Sequence, residues 1–220
     1  MMKQKIYCIP GLGAKAQIFD YLQLDENKYE LVKIDWIEPK KDEPLEKYIQ
    51  RLIQPIQEEQ PILMGVSFGG IVVQEIAKQL PCKKVFVVSS IKSKEEFPNA
   101  LRYIYQWNLY KAFPSNYLKT MMDWADKYLF VDAAKKKVKL YRKYLVKLSP
   151  YYFDWSIRQA LEWEGQPSDA NVVHIHGTDD HIFPSKYICE NVRLIQGGTH
   201  AMILTHAREL TKIVEQELEK

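Results

Sequence analysis

The sequence predicts an α/β protein: a mostly parallel central sheet of about six strands, flanked by helices and carrying a helical cap insertion. Three observations lead there. Short continuous apolar runs recur along the chain, and eight of its nine glycines fall in four clusters just behind four of those runs. Amphipathic helical patterns lie between the runs.

The predicted strands are 6–9, 31–34, 62–64, 85–88, 172–175 and 192–195. Their Val/Ile/Leu residues run together instead of alternating with polar ones, which suits parallel strands covered on both faces. Leu45, Tyr48, Ile49, Leu52, Ile53 and Ile56 follow helical spacing, with Asp42 as N-cap, Pro44 in the first turn and Pro55 ending the helix near Gln54. Val72, Val73, Ile76, Ala77 and Leu80 predict a second helix, stopped by Pro81. Ile203, Ala207, Leu210, Val214 and Leu218 predict a single C-terminal one.

Residues 92–165 break the alternation. They hold 17 of the 27 aromatics and a net charge of +6, and they suggest up to four helices, for example at 101–112 and at Val138/Tyr141/Leu145/Leu148. The expected organisation is therefore a core of 1–91 and 166–220 with a cap at 92–165. Lys135-Lys136-Lys137 in that insertion reads as the solvated face of a helix.

Composition excludes several classes. The chain has 220 residues, 31 basic and 28 acidic, for a net charge of +3. That balance argues against nucleic-acid binding. No apolar run approaches the roughly 20 residues of a membrane span, and the apolar stretch at 6–10 is too short for a secretory signal. Cys8, Cys82 and Cys189 form no CxxC pair and read as reduced thiols of a cytoplasmic protein. Nothing in the sequence sets an oligomeric state.

Gly65-Val66-Ser67-Phe68-Gly69-Gly70 lies between a predicted strand and a predicted helix, where a serine would sit on a tight turn with its hydroxyl above the sheet. A serine hydroxyl needs a base and an acid that orients the base. His176-Gly177-Thr178-Asp179-Asp180-His181-Ile182-Phe183-Pro184 and Gly197-Gly198-Thr199-His200 follow the last two strands. The order Ser67, Asp180, His200 fits a nucleophile, acid and base at successive strand ends. With these motifs the chain resembles the α/β-hydrolase superfamily. The resemblance implies Ser67 as nucleophile, Asp180 as acid in preference to Asp179, and His200 as base in preference to His206. It further implies backbone N–H groups of Leu12 and Phe68 as an oxyanion hole, with Pro10-Gly11-Leu12-Gly13 standing where the family often has His-Gly-x-Gly. Two departures are Pro10 for that histidine, and Asp35-Trp36-Ile37-Glu38-Pro39 where a Gly-x-Gly is often found. The chain begins at what would be the family's third strand, so a trimmed sheet is expected.

The implied activity is hydrolysis of an ester-type bond in a small, partly apolar substrate, without cofactor or metal. A thioester substrate and a slow-turnover ligand-binding protein are the alternatives. His174-Ile175-His176 with the following Asp–Asp–His fits no zinc spacing. Trp107, Trp124, Trp155 and Trp163 are the candidates for the pocket wall.

Overall fold

A computed structural model describes residues 3–107, 144, 148–165, 171–189 and 191–220. Six strands form one sheet: β1 (Gln4–Ile9), β2 (Tyr29–Lys33), β3 (Ile62–Val66), β4 (Lys84–Val88), β5 (Val172–Gly177) and β6 (Val192–Ile195). Their order is β2-β1-β3-β4-β5-β6, and every pairing is parallel. The chain thus starts inside the sheet, runs to one edge, and then crosses β1 to build the other side. Four strands end against the positions where the site residues follow.

Both faces are covered, which is why the strands are continuously apolar. Tyr7, Ile9, Leu63, Val85 and Val87 point into one core with helices α1 (Leu45–Leu52) and α2 (Phe68–Gln79). Ile6, Cys8, Ile62, Met64, Phe86, Val88, Val173 and Ile175 point into the other. That second core contains the 3₁₀ helix Ala16–Tyr21 and the C-terminal helical residues Met202, Ile203, Leu210 and Val214. The alternation of neighbours between two cores is the pleat of each strand made visible.

Between β4 and β5 the chain makes α3 (Asn99–Gln106) and α4 (Pro150–Glu162). Ser93 and Gly165 pair as an isolated antiparallel bridge, so the two ends of this excursion lie side by side. Ser149 caps α4, its hydroxyl accepting the Tyr152 N–H at 3.2 Å, with Pro150 in the first turn. Helix α4 docks on the core through Trp155, whose indole N–H donates to the Glu43 carbonyl at 2.6 Å. The Tyr151 hydroxyl accepts the Asp42 N–H, and the Gln159 side-chain oxygen accepts that of Leu45. The helix expected at Val138–Leu148, the stretch beyond residue 107 of the one expected at 101–112, and Lys135–Lys137 lie outside the described residues.

Two expectations need correction. Asp42 is not the cap of α1: it has a φ of 54° in a turn, and α1 starts after Pro44 with no side-chain cap. The carboxylate at that end belongs to Glu43, which accepts the Lys40 N–H and pairs with Arg51 at 2.7 Å. The C-terminal helix is two pieces, α5 (Met202–Thr205) and α6 (Ala207–Leu218). The break falls at His206, whose backbone leaves the helical region at φ −129°, ψ 34° and whose Nδ1 meets the Thr205 hydroxyl at 2.8 Å. No helix among the described residues is long and apolar enough to cross a membrane.

Candidate active site

Ser67 is the single residue between β3 and α2. The chain must turn from strand to helix within it, and Ser67 takes φ 54°, ψ −119° to do so. A non-glycine residue held there costs on the order of 1–3 kcal/mol, which the surroundings must supply. They do so with hydrogen bonds: the Ser67 N–H donates to Val88 O at 2.9 Å, and its carbonyl accepts the Gly70 N–H and the Ser90 hydroxyl. The flanking glycines are demanded by close backbone approach. A Cβ on Gly65 would lie 2.1 Å from the Gly69 oxygen, and one on Gly69 would lie 2.2 Å from the Ile9 oxygen. Neither leaves room for a methyl group.

Asp180 follows β5 and is buried, 2% exposed. One carboxylate oxygen accepts the N–H groups of Ile182 and Phe183, at 2.8 and 2.9 Å. The other accepts from His200 Nδ1 at 2.9 Å. Burial by itself raises the Asp180 pKa. The charge and hydrogen bond of His200, with His176 and the Phe183 N–H, outweigh it and hold the carboxyl below its ordinary value. Asp179 is exposed and accepts the Thr178 hydroxyl instead.

His200 Nε2 lies 2.9 Å from Ser67 Oγ. Because an ionised carboxylate only accepts, Nδ1 carries the proton in the neutral ring and Nε2 accepts from the serine. Serine, imidazole and carboxylate therefore form one hydrogen-bonded chain across three strand ends. His206 is turned toward Thr205 and takes no part in it.

The first loop closes the other side. A Cβ on Gly11 would stand 3.5 Å from Ser67 Cβ, so this loop lies directly against the serine. The Ala14 N–H and the Trp36 indole N–H both donate to the Gly11 carbonyl, at 3.0 and 2.9 Å. Among the described residues neither the Leu12 nor the Phe68 N–H has an acceptor.

The tryptophans are spread out. Trp155 is buried, 4.5 Å from the Tyr48 ring and 6.5 Å from Phe68 between centroids. The Trp163 indole donates to Glu75 at 2.6 Å, two turns along α2 from Ser67. Trp107 is 73% exposed. Trp124 lies outside the described residues. Two aromatics that the sequence did not put forward for the pocket lie beside His200. Phe183 packs edge-on against His200 at 5.6 Å, and Phe97 against Phe183 at 6.2 Å. Phe97 also lines a cavity of about 190 Å³ with Leu101, Leu161, Arg102, Lys94 and Gln106. Phe183 stood in view inside the HIFP motif; Phe97 carried no signal beyond its position after β4.

His174 and His176 project from β5 into the core. The Nε2–H of each donates to a carbonyl, Ser90 and Phe183 respectively. Burial lowers both pKa values, that of His174 to about 3, and so disfavours the charged ring at each position. Among the described residues no group of three His, Cys, Asp or Glu could hold a metal ion.

The model of the alpha/beta hydrolase family matches residues 7–213, and the chain belongs to that family. Its fold is similar to that of a bromoperoxidase from Bacillus anthracis, with TM-score 0.74 and 18% identity over 100% of this chain and 93% of that one. An esterase from Exiguobacterium antarcticum aligns with TM-score 0.71 and 16% identity, over 99% and 92%. A lipase-esterase related protein from Clostridium acetobutylicum aligns with TM-score 0.63 and 17% identity, over 97% and 93%. Among curated proteins nothing matches.

Proposed function

We propose that the protein is a serine hydrolase that cleaves an ester-type bond in a small, partly apolar substrate through an acyl-enzyme. The observation that carries this reading is the continuous chain Ser67 Oγ, His200 Nε2, His200 Nδ1, Asp180 Oδ2, with both links at 2.9 Å. A serine hydroxyl attacks a carbonyl effectively only while a base takes its proton, and this chain provides the route for that proton.

Ser67 Oγ attacks the carbonyl carbon while its proton passes to His200 Nε2. Asp180 keeps the ring oriented and stabilises the imidazolium. The N–H groups of Leu12 and Phe68 receive the oxyanion, where charge develops. His200 returns the proton to the departing alkoxide, leaving an ester on Ser67. Water then gives a proton to His200, attacks the acyl carbon, and releases the acid with Ser67 restored. Residues 92–165 act as the cap: α4 rests on the core beside Phe68, and the Phe97–Phe183 pair forms an apolar wall leading to His200.

A fluorophosphonate probe followed by mass location of the adduct tests the nucleophile, with the adduct expected on Ser67 alone. Short p-nitrophenyl esters test turnover, and matched oxygen esters and thioesters separate the two acyl substrates. Labelling at another residue, or no labelling and no turnover, overturns the reading.

A further inference from the structure

We infer that Trp36 is a positioning residue for the oxyanion hole, locking the Gly11–Leu12 peptide so that the Leu12 N–H faces the reacting carbonyl. The inference rests on the serine-hydrolase reading and goes beyond it, since among the described residues Trp36 makes its hydrogen bond to Gly11 and not to serine, acid or base.

The Gly11 carbonyl and the Leu12 N–H belong to one peptide group. In a trans peptide they point in opposite directions, and the described chain has no cis peptide bond. Whatever fixes the carbonyl therefore fixes the N–H. Gly11 sets no barrier of its own to turning that peptide, so the resistance comes from the Leu12 φ, which has to stay negative, and from whatever holds the Gly11 oxygen. A flipped peptide would aim a carbonyl oxygen at the developing oxyanion.

Two donors oppose the flip. The Ala14 N–H closes a turn on the Gly11 oxygen but moves with the loop. The Trp36 indole does not. It is 5% exposed, sits just beyond β2, and packs against Phe68 at 5.3 Å and Tyr152 at 6.0 Å between centroids. Asp35 adds a second tie, its carboxylate accepting the Ala16 N–H at 2.8 Å where the 3₁₀ helix begins. Residues 35–36 thus clamp the first loop to the sheet at both of its ends. The contact with Phe68 and the bond to the Gly11 oxygen tie one rigid ring to Phe68 and to the peptide whose N–H belongs to Leu12. A hydrogen bond to an amide carbonyl also polarises its N–H, which strengthens the Leu12 donor.

The test compares the parent protein with Trp36→Phe, which keeps an aromatic ring in the packing and removes the N–H. Deleting an oxyanion donor outright costs about 10²–10³ in kcat. Here the donor stays and Ala14 still holds it in part, so kcat falls about tenfold to a hundredfold with KM little changed. A short alkyl boronic acid forms a tetrahedral adduct on Ser67 and reports the hole directly. Its affinity falls in step with kcat, while affinity for the carboxylic acid product does not.

An unchanged kcat and boronate affinity in folded Trp36→Phe overturns the inference while leaving the hydrolase reading intact. So does an equal loss of boronate and acid affinity, which marks a general loosening. If the variant does not fold, the unmodified protein decides. The indole N–H resonance of Trp36 shifts on adding the boronic acid and not on adding the product acid; an unmoved resonance overturns the inference. A parent that neither labels nor turns over removes the reading and this inference together.

Discussion

Behind β3 the chain positions Ser67 through its backbone, whereas behind β5 and β6 a similar close approach, of Gly177 to Gly198, is joined by hydrogen bonds to the Asp180 and His200 side chains. At the first site the constraints are steric: two glycines let strand, turn and helix pass within van der Waals distance, and three hydrogen bonds through the Ser67 backbone hold its strained conformation. At the second, a buried carboxylate collects two N–H groups and one imidazole, and the imidazole reaches across to a different strand. Backbone positioning fails by clash, so substitutions there break folding. Side-chain positioning fails by lost partners, so removing a partner of Asp180 or His200 breaks chemistry, while the Gly177–Gly198 approach behind them fails by clash as the β3 turn does.

The largest effect is expected at Ser67. Ser67→Ala lowers kcat by about 10⁴-fold or more, because only binding and the oxyanion donors remain. Its thermal midpoint stays near the parent's, since no described core contact depends on Oγ. Ester hydrolysis within tenfold of the parent would break the assignment.

The acid tests the side-chain end. Asp180→Asn lowers kcat by roughly 10⁴-fold, since an amide nitrogen facing Nδ1 favours the wrong tautomer. Asp179→Asn changes it little, because among the described residues that exposed carboxylate takes its hydrogen bond from Thr178 alone. Comparable losses in both variants would mean that the loop acts as a unit and that the contrast with β3 is false.

The backbone end is tested by Gly69→Ala. Its methyl group would stand 2.2 and 2.4 Å from the carbonyl oxygens of Ile9 and Pro10. Strand β1 cannot yield without shifting the sheet, so a loss of about 1–3 kcal/mol is expected, a fall of several degrees in Tm. Activity falls as well, since Pro10 leads into the loop beside Ser67. A variant as stable as the parent would show that close approach at this turn is not the constraint.

That contrast also explains what was legible beforehand. Glycines forced by backbone contact leave a mark at fixed offsets, so the serine turn could be read from Gly65 and Gly69 together with their flanking strand and helix. Parallel strands buried on both faces announced themselves as unbroken apolar runs. Asp180 and His200 were legible by motif and order, although two carboxylates and several histidines competed and only distances separate them. Trp36 was not legible as a partner of Gly11, because 25 positions divide them and an indole beyond a strand carries no signature. The break at His206 was missed because the apolar spacing of Ile203, Ala207 and Leu210 continues straight through it.

The smallest effect concerns the histidines of β5, whose charged form is disfavoured by burial. His174 is 1% exposed, its Nε2–H donates to Ser90 at 2.9 Å, and burial, helped by His176 and Lys92, lowers its pKa to about 3. In the unfolded chain the same ring titrates near 6.5. Between those values the unfolded state binds the extra proton, so the contribution is whole above about pH 6.5 and is lost as pH falls toward 3. The slope is at most about 1.4 kcal/mol per pH unit. His174→Gln keeps a donor for the Ser90 carbonyl and removes the titration. Urea unfolding at pH 7 and pH 5 should then give the variant a shallower acid dependence than the parent, whatever its stability at pH 7. Asp180 and His176 are present in both proteins, so the difference reports His174 together with its coupling to His176. Parallel pH curves would mean that burial in β5 does not hold His174 neutral.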